Sequence, residues 1–314
     1  MKIVNEPSNR SFLSTKQGKI ALGVALAFAG AAMEALADVI PKPLMAETQI
    51  SPAAPLMIVF LIYMINGIIF TPFTAKSKPL FKFPKKSLYA LTGLGVADVL
   101  ATVFFLYGLK DTSAINASIL GNSEIVFGII IAMIVLGERI QRKEVFPFVL
   151  IGIGAILIPT WSSISEYGFM TNFVIGDFMI LVSGVFLGIV MTMYKQMGDE
   201  FDSKRIIQYT SFIGAAVAMA GILVMNIPFE IDPDHLPIIF VTGIVGVGLP
   251  ILLLVISLRY IGAVVAILIF SATSVFGVLF SHVLLGEIVS IENVAAVSLI
   301  IVGTYFLRKK LAQD

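Results

Sequence analysis

Long apolar stretches alternate with short polar ones along the whole chain. Ten of the apolar stretches approach the length of about 20 residues that an α-helix needs to cross a bilayer. The fifth and the tenth are short, and the ten lie at about 20–40, 54–73, 87–108, 113–135, 145–160, 176–195, 207–227, 237–258, 263–285 and 290–307. The pattern predicts an all-α, polytopic membrane protein with ten transmembrane helices joined by brief loops.

The second half of the sequence repeats features of the first half at an offset of 149 residues. Val126-Phe127-Gly128 recurs as Val275-Phe276-Gly277, and Leu136-Gly137-Glu138 recurs as Leu285-Gly286-Glu287. Because each copy holds five helices, an odd number, the two repeats are predicted to cross the membrane in opposite directions. Internal duplication of this kind is a common plan of secondary transporters.

The repeat predicts the domain boundaries. They are a cytoplasmic tail (1–19), a first five-helix repeat (20–160), an external loop (161–175), a second five-helix repeat (176–307) and a cytoplasmic tail (308–314). Another interpretation is that the basic leader and Ala35-Leu36-Ala37 form a cleavable signal peptide. A first transmembrane helix is favoured, because Glu34 interrupts the apolar region and cleavage would leave nine helices.

Composition and charge support the membrane assignment. The 314 residues are 58% hydrophobic and 13% charged, which is too apolar for a soluble globular protein. The chain has no cysteine, which excludes disulfides and thiol chemistry. If the N-terminus is cytoplasmic, 19 of the 21 Lys and Arg residues lie on the inner side, and only Lys42 and Lys110 do not. This bias predicts a multi-pass protein of the cytoplasmic membrane with both termini in the cytoplasm.

Several short motifs resemble those of the EamA-type, ten-helix transporters of the drug/metabolite transporter superfamily. The motifs are Glu124-Ile125-Val126-Phe127, the two Leu-Gly-Glu runs, the glycines Gly154 and Gly303, and Gly176-Asp177. The resemblance covers the chain past residue 19 and implies ten helices around a central cavity that moves small metabolites by alternating access. The proline that usually follows the glutamate in this family is absent. Its position is taken by Ile125 in the first copy and by Ser274 in the second copy, where Thr273 stands in place of the glutamate.

Three acidic residues fall within predicted transmembrane helices. Glu34, Asp98 and Glu124 lie near the middle of helices one, three and four. A charged acid at a helix centre costs roughly 2.5–3.5 kcal/mol on insertion scales. Since every lysine and arginine is assigned to a loop or a helix end, these acids must be protonated, hydrated in a cavity or neutralised by a cationic ligand. All three are therefore candidates for substrate binding or proton coupling.

Glu124 is the first choice, because it shares a helix face with small residues. The face comprises Ser113, Ala117, Gly121 and Gly128, and it permits either close helix packing or an open cavity wall. The alternative is a protonated Glu124 that hydrogen-bonds a neighbouring helix. Asp38 aligns with Glu34 on helix one but is predicted to be solvated near the outer interface.

Other polar and flexible positions are secondary candidates. Asn116 and Ser123 can hydrogen-bond a substrate, although interhelical hydrogen bonds explain them equally well. The run containing Gly246, Gly248 and Pro250 removes a backbone hydrogen bond and predicts a kink and a hinge in helix eight. Glu138 and Glu287 are predicted to favour the starts of the following helices, a structural role.

Two function classes remain open. The first is a secondary transporter of small neutral, zwitterionic or cationic metabolites, with amino acids or amines favoured because helix centres hold only acids. Proton coupling is one option. The second is a membrane-embedded enzyme or lipid-handling protein that uses the intramembrane carboxyl groups, although the sequence has no zinc, serine-nucleophile or phosphate-loop motif. No cofactor, metal or nucleic-acid partner is predicted, and the protein is expected to be a monomer or a homodimer.

Overall fold

The computed structural model describes residues 16–46, 54–75, 77, 83–136, 142–197, 201–261 and 269–311. The helices of the first half are α1 (Lys16–Val39), α2 (Pro55–Phe70), α3 (Lys85–Asp111), α4 (Ala114–Gly121), α5 (Ser123–Leu136), α6 (Arg142–Gly152) and α7 (Ile158–Tyr167). Those of the second half are α8 (Asn172–Met197), α9 (Ser203–Val224), α10 (Leu236–Gly243), α11 (Leu249–Ile261), α12 (Thr273–Leu285) and α13 (Ile291–Leu311).

Two π-helical turns join consecutive helices into longer membrane crossings. Ile153–Leu157 connects α6 to α7, and Ile244–Gly248 connects α10 to α11. A short 3-10 turn, Lys42–Met45, follows α1. All regular secondary structure in the described ranges is helical.

In the part of the chain that the structure describes, ten helical stretches have the apolar character of membrane crossings. Seven are long enough to span a bilayer outright, and three shorter apolar helices are Pro55–Phe70, Thr273–Leu285 and Ile291–Phe306. Together they confirm the predicted all-α fold of ten crossings in two inverted five-helix repeats.

Contacts between the last crossings of the two repeats are reciprocal. A Cβ placed on Gly154 would lie 2.6 Å from the carbonyl oxygen of Ala296 in α13. A Cβ on Gly303 would lie 2.9 Å from the carbonyl oxygen of Pro147 in α6. Gly303 follows Gly154, and Ala296 follows Pro147, by the same 149 residues. The repeat therefore places equivalent glycines at one close crossing of two helices, where a larger side chain would force the backbones apart.

The same reciprocity relates α3 and α8 to α11 and α1. In the first pair, a Cβ on Gly108 would lie 2.6 Å from the carbonyl oxygen of Gly176. In the second pair, Ser257 Oγ donates a 2.8 Å hydrogen bond to the carbonyl oxygen of Gly23. Ser257 stands 149 residues after Gly108. The first helix of each repeat thus packs closely against the third helix of the other repeat.

Several predicted helix boundaries differ from the structure. The sequence predicts one helix over 113–135, whereas the structure interrupts it at Asn122 between α4 and α5. The fifth crossing was predicted over 145–160, but α6 begins at Arg142 and α7 ends at Tyr167. Pro147 lies inside α6, where it removes one backbone hydrogen bond of the helix. Residues 263–268 of the predicted ninth helix, and Glu138, lie outside the described residues.

Candidate functional site

The fourth and ninth membrane crossings are interrupted at equivalent positions. Asn122 forms a turn between α4 and α5, and Ser271 and Ala272 form a turn before α12. The side chain of Asn122 donates a hydrogen bond to Ser274 Oγ in the first turn of α12, which joins the two interruptions. Discontinuous helices near the middle of a membrane crossing are a frequent location of transporter binding sites.

Three carboxyl groups lie beside these interruptions, and we call Glu34, Asp38 and Glu124 the acid cluster. Glu34 and Asp38 are one turn apart on α1, and Glu124 lies in the first turn of α5. Glu124 interacts electrostatically with both acids of α1. The hydroxyl of Thr273, at the start of α12, lies 3.5 Å from Glu34 Oε2. The structure therefore brings together two of the predicted acids, Glu34 and Glu124.

Asp38 belongs to the acid cluster, although the sequence interpretation did not include it among the candidate site residues. It was predicted to be a solvated side chain near the membrane surface, but the structure places it beside Glu124 and only half-exposed. Its spacing from Glu34 puts both on one helix face. That spacing was visible in the sequence, but the electrostatic interaction of Glu124 with both acids was not.

The acid cluster keeps some exposed surface and lacks a basic partner. All three residues are half-buried. Within the described ranges, no lysine or arginine forms an ion pair with any of them. The same part of the chain holds no group of His, Cys, Asp and Glu side chains arranged to hold a metal ion. Since three like charges repel one another at short range, such a cluster favours protons or a cationic group as counter-charge.

Asp98 of α3 lies apart from the acid cluster and forms a buried polar pair with Tyr63 of α2. Tyr63 of α2 donates a 3.0 Å hydrogen bond to Asp98 Oδ2, and the same hydroxyl lies 2.8 Å from Thr102 Oγ1. Tyr63 is fully buried within the apolar core formed by α2, α3, α4 and α9. Asp98 therefore has a fixed partner, which none of the clustered acids has to the same degree.

Asn116 and Ser123 do not join the acid cluster. Asn116 Nδ2 donates a 2.9 Å hydrogen bond to Ser163 Oγ of α7, near the start of α4. Ser123 is fully buried, and its Oγ lies where a Cβ on Gly184 of α8 would stand. Interhelical contacts thus account for the positions of both side chains.

The small-residue face predicted around Glu124 is divided by the interruption at Asn122. On α5, Gly128 allows close packing, since a Cβ on Gly188 of α8 would lie 2.7 Å from its amide nitrogen. On α4, a Cβ on Gly121 would meet only Phe105, at 3.9 Å. One part of the face therefore packs against a helix, and the other part has room beside it.

The predicted hinge residues lie at an irregular part of the eighth crossing. Gly246 and Gly248 belong to the π-helical turn, and Pro250 follows it in α11. A Cβ on Gly246 would lie 2.5 Å from the Cβ of Ala37, on the helix that holds two of the clustered acids. π-helical turns are frequent at functional sites and bend helices. The irregularity is present, and its role as a hinge stays a prediction.

A second group of polar contacts lies at the end of the bundle where α1 finishes. We call Lys42, Thr112, Asn116, Ser163, Asp177 and Glu287 the Lys42 network. Its ion pair joins Lys42 Nζ to Glu287 Oε1 at 3.7 Å. Thr112 and Ser163 both donate hydrogen bonds to the carboxylate of Asp177. This network contains residues of both repeats.

Comparison with known proteins identifies the family. Residues 21–160 and residues 174–309 each match the EamA-like transporter family. The chain belongs to this family. The two matches confirm the resemblance that the short repeated motifs indicated, and together with the apolar helices they make the chain a multi-pass membrane protein of the EamA-like transporter family.

The chain is also similar to one transporter and, in its fold, to one solved structure. A relative from Methanothermobacter thermautotrophicus, described as an uncharacterized transporter, is 28% identical over 218 residues. The alignment covers 69% of this chain and 63% of the relative's length. A solved crystal structure of another protein, 14% identical, has a TM-score of 0.65 and covers 95% of this chain and 99% of its own. That likeness shows a shared fold.

Proposed function

We propose that this EamA-like protein is a proton-coupled secondary transporter of small amines and amino acids, and that the acid cluster is its binding and coupling site. The observation that supports this best is the meeting of Glu34, Asp38 and Glu124 beside two interrupted helices. Protons and an ammonium group would then compete for the same carboxylates. A transporter can couple the two fluxes by this competition, because occupancy by one excludes the other.

The charge of the cluster argues against anionic substrates. A phosphate or a nucleotide would need arginine or lysine donors at the site, and the acid cluster forms no ion pair with either in the described ranges. Neutral substrates remain compatible when the acids are protonated. Zwitterionic and cationic substrates gain direct electrostatic attraction, so they are preferred.

The distribution of basic residues supports one orientation. We propose that both termini are cytoplasmic, since 19 of 21 Lys and Arg residues then lie on the inner side. The Lys42 network would then face the outside. Because the chain has no native cysteine, exposed Lys86 and Asp234 can each be replaced by cysteine and labelled with an impermeant reagent. Labelling of both from one side would contradict this orientation.

The experiment that tests the function is a flux screen in sealed proteoliposomes. Radiolabelled amino acids, monoamines and diamines are offered with and without an imposed pH gradient, and sugar phosphates serve as the anionic contrast. We expect gradient-dependent accumulation of an amine or amino acid and none of the phosphates. Accumulation of phosphates alone would contradict the proposed substrate class.

A second measurement addresses coupling at the site itself. Calorimetric titration of the purified protein with the transported amine, repeated in buffers of different ionisation enthalpy, reports protons released on binding. Release should occur in the parent protein and fall in Glu124→Gln. Glu292→Gln is a matched control, because this exposed acid stands outside the cluster, at the start of α13. The enzyme alternative predicts instead chemical turnover without sealed vesicles.

A further inference from the structure

The turn between α3 and α4 is held by two oppositely charged side chains. Lys42 Nζ donates hydrogen bonds to the carbonyl oxygens of Thr112 and Leu109, the latter at 3.3 Å, at the C-terminal end of α3. The Glu287 carboxylate accepts from the backbone N–H groups of Ala114 and Ile115, both at 2.8 Å, at the start of α4. Each charge matches the dipole of the helix end it contacts.

These contacts tie the first repeat to the second. Lys42, Thr112 and the start of α4 belong to the first repeat, whereas Asp177 of α8 and Glu287 belong to the second. The Lys42–Glu287 ion pair and the Thr112–Asp177 hydrogen bond both join the two repeats directly. Asn293 of α13 adds a weaker link, 3.5 Å from its Nδ2 to Asn116 Oδ1.

The network is largely withdrawn from solvent. Asp177 is 1% exposed, and the side chains of Lys42 and Glu287 are 24% and 17% exposed. Charge-assisted hydrogen bonds in such a setting are stronger than those at an open surface. Close packing of α3 on α8, through Gly108 and Gly176, adds to the closure at this end of the bundle.

The network lies directly beyond the acid cluster along α1. Asp38 lies in the last turn of α1, and Lys42 begins the 3-10 turn that follows, four residues later. A substrate that reaches the cluster from this end must therefore pass the contacts of Lys42 and Glu287. The structure shows those contacts made.

We propose that Lys42, Glu287 and Asp177 form the gate that closes the transport pathway at this end, and that opening requires separation of Glu287 from the start of α4. This inference rests on the proposed transport function, but opening and closing of the gate can be measured without any substrate. Movement of one repeat against the other breaks the ion pair and the two backbone hydrogen bonds together. These residues are positioning residues, since none of them belongs to the acid cluster.

Cysteine accessibility tests the gate without any substrate. Ala117 lies one turn inside the start of α4 and is 1% exposed, so Ala117→Cys reports opening to a membrane-impermeant methanethiosulfonate. Glu287→Gln and Lys42→Met should each raise its labelling rate about fivefold, the shift expected from loss of one charge-assisted hydrogen bond or ion pair. Glu292→Gln should leave the rate unchanged.

A second reporter separates gating from general unfolding. Ala215 is equally buried and lies on α9, a helix that contributes no residue to the Lys42 network. Ala215→Cys should stay unlabelled in the gate variants, whereas loss of the fold would expose both reporters. If Glu287→Gln does not fold, Lys42→Met still tests the ion pair and leaves the contact of Glu287 with α4 intact.

A disulfide across the gate tests its place in transport. Thr112 and Asp177 are hydrogen-bonded neighbours, so Thr112→Cys with Asp177→Cys should form a bond on oxidation, stop flux and recover it on reduction. Full flux through the oxidised protein, or unchanged Ala117→Cys labelling in both gate variants, would overturn the gate. If labelling shifts as expected while no amine is transported, the gate stands and the proposed substrate class fails.

Discussion

Asp98 and the acid cluster show how one residue type takes two roles within the same membrane protein. Asp98 is buried and accepts a hydrogen bond from a fully buried tyrosine, so one of its carboxylate oxygens has a donor within the protein. Glu34, Asp38 and Glu124 are half-buried and interact electrostatically, and the Thr273 hydroxyl lies 3.5 Å from Glu34 Oε2. An acid with a fixed neutral partner stabilises a fold. Acids that interact with one another remain available to protons and cations.

The substitution with the largest expected effect is Glu124→Gln. Glutamine keeps the size and hydrogen-bonding capacity of a protonated glutamate, so the protein should insert and fold. It cannot exchange a proton during the cycle, so gradient-driven accumulation should be lost. A gradient of one pH unit supplies about 1.4 kcal/mol per proton, which supports roughly tenfold accumulation. Uptake in proteoliposomes at two pH gradients measures this loss.

The outcome for Glu124 distinguishes coupling from structure. Exchange of substrate at equal concentrations on both sides should persist in Glu124→Gln, because it needs no net proton movement. Accumulation with an unaltered pH profile would identify Glu124 as a structural hydrogen-bond donor. The acid cluster and Asp98 would then no longer differ in function.

Glu34→Gln and Asp38→Asn should have smaller effects than Glu124→Gln. Glu34 and Asp38 both interact electrostatically with Glu124. Replacement of either one therefore leaves a pair of acids that still binds a proton. We expect a shift in the pH at which uptake is half-maximal, with accumulation retained. A complete loss of coupling in Glu34→Gln, together with normal coupling in Glu124→Gln, would move the coupling role to α1.

Tyr63→Phe and Asp98→Asn should change stability rather than coupling. Loss of the tyrosine hydroxyl leaves a buried carboxyl group without its donor, at a cost of about 1–3 kcal/mol. Thermal unfolding in detergent should therefore occur at lower temperature in Tyr63→Phe. The pH profile of uptake should match that of the parent protein. A flattened profile in Asp98→Asn would make Asp98 a second coupling site.

The smallest expected effect is that of Pro250→Ala in α11. The substitution restores a backbone N–H beside the π-helical turn, which stiffens the eighth crossing against α1. The rate of interconversion between the inward-open and outward-open states should fall about two- to fivefold, the size of single backbone-restriction effects. The time course of labelling of Ala117→Cys measures this rate. Unchanged kinetics would leave close packing as the role of Gly246, Gly248 and Pro250.

The sequence was sufficient for the fold because the determining properties are local or repeated. A membrane crossing is recognised from the length of an apolar stretch, and the inverted repeats follow from one offset and an odd helix number. Boundaries were less accurate where a helix continues through a proline or stops at a polar residue. Pro147 lies inside α6, and Asn122 interrupts the fourth crossing.

Individual acids could also be identified from the sequence, because a carboxyl group within an apolar helix has a high cost wherever the helix packs. Their partners could not be identified. Periodicity places Glu34 and Asp38 on one face of α1, but the position of Glu124 relative to that face depends on how α1 packs beside α4 and α12. In the same way, nothing in the local pattern indicates that Tyr63 would reach Asp98.

The sequence by itself determined the number of crossings, the repeat and the family of this protein, since hydrophobic length and internal identity are properties of the chain alone. Only the tertiary structure decided which acids meet, which acid is already hydrogen-bonded, and that Glu287 contacts the start of α4 from the other repeat. These contacts join residues far apart in the chain. They depend on the packing angle and register of helices, which small residues such as Gly108 and Gly154 permit but do not specify.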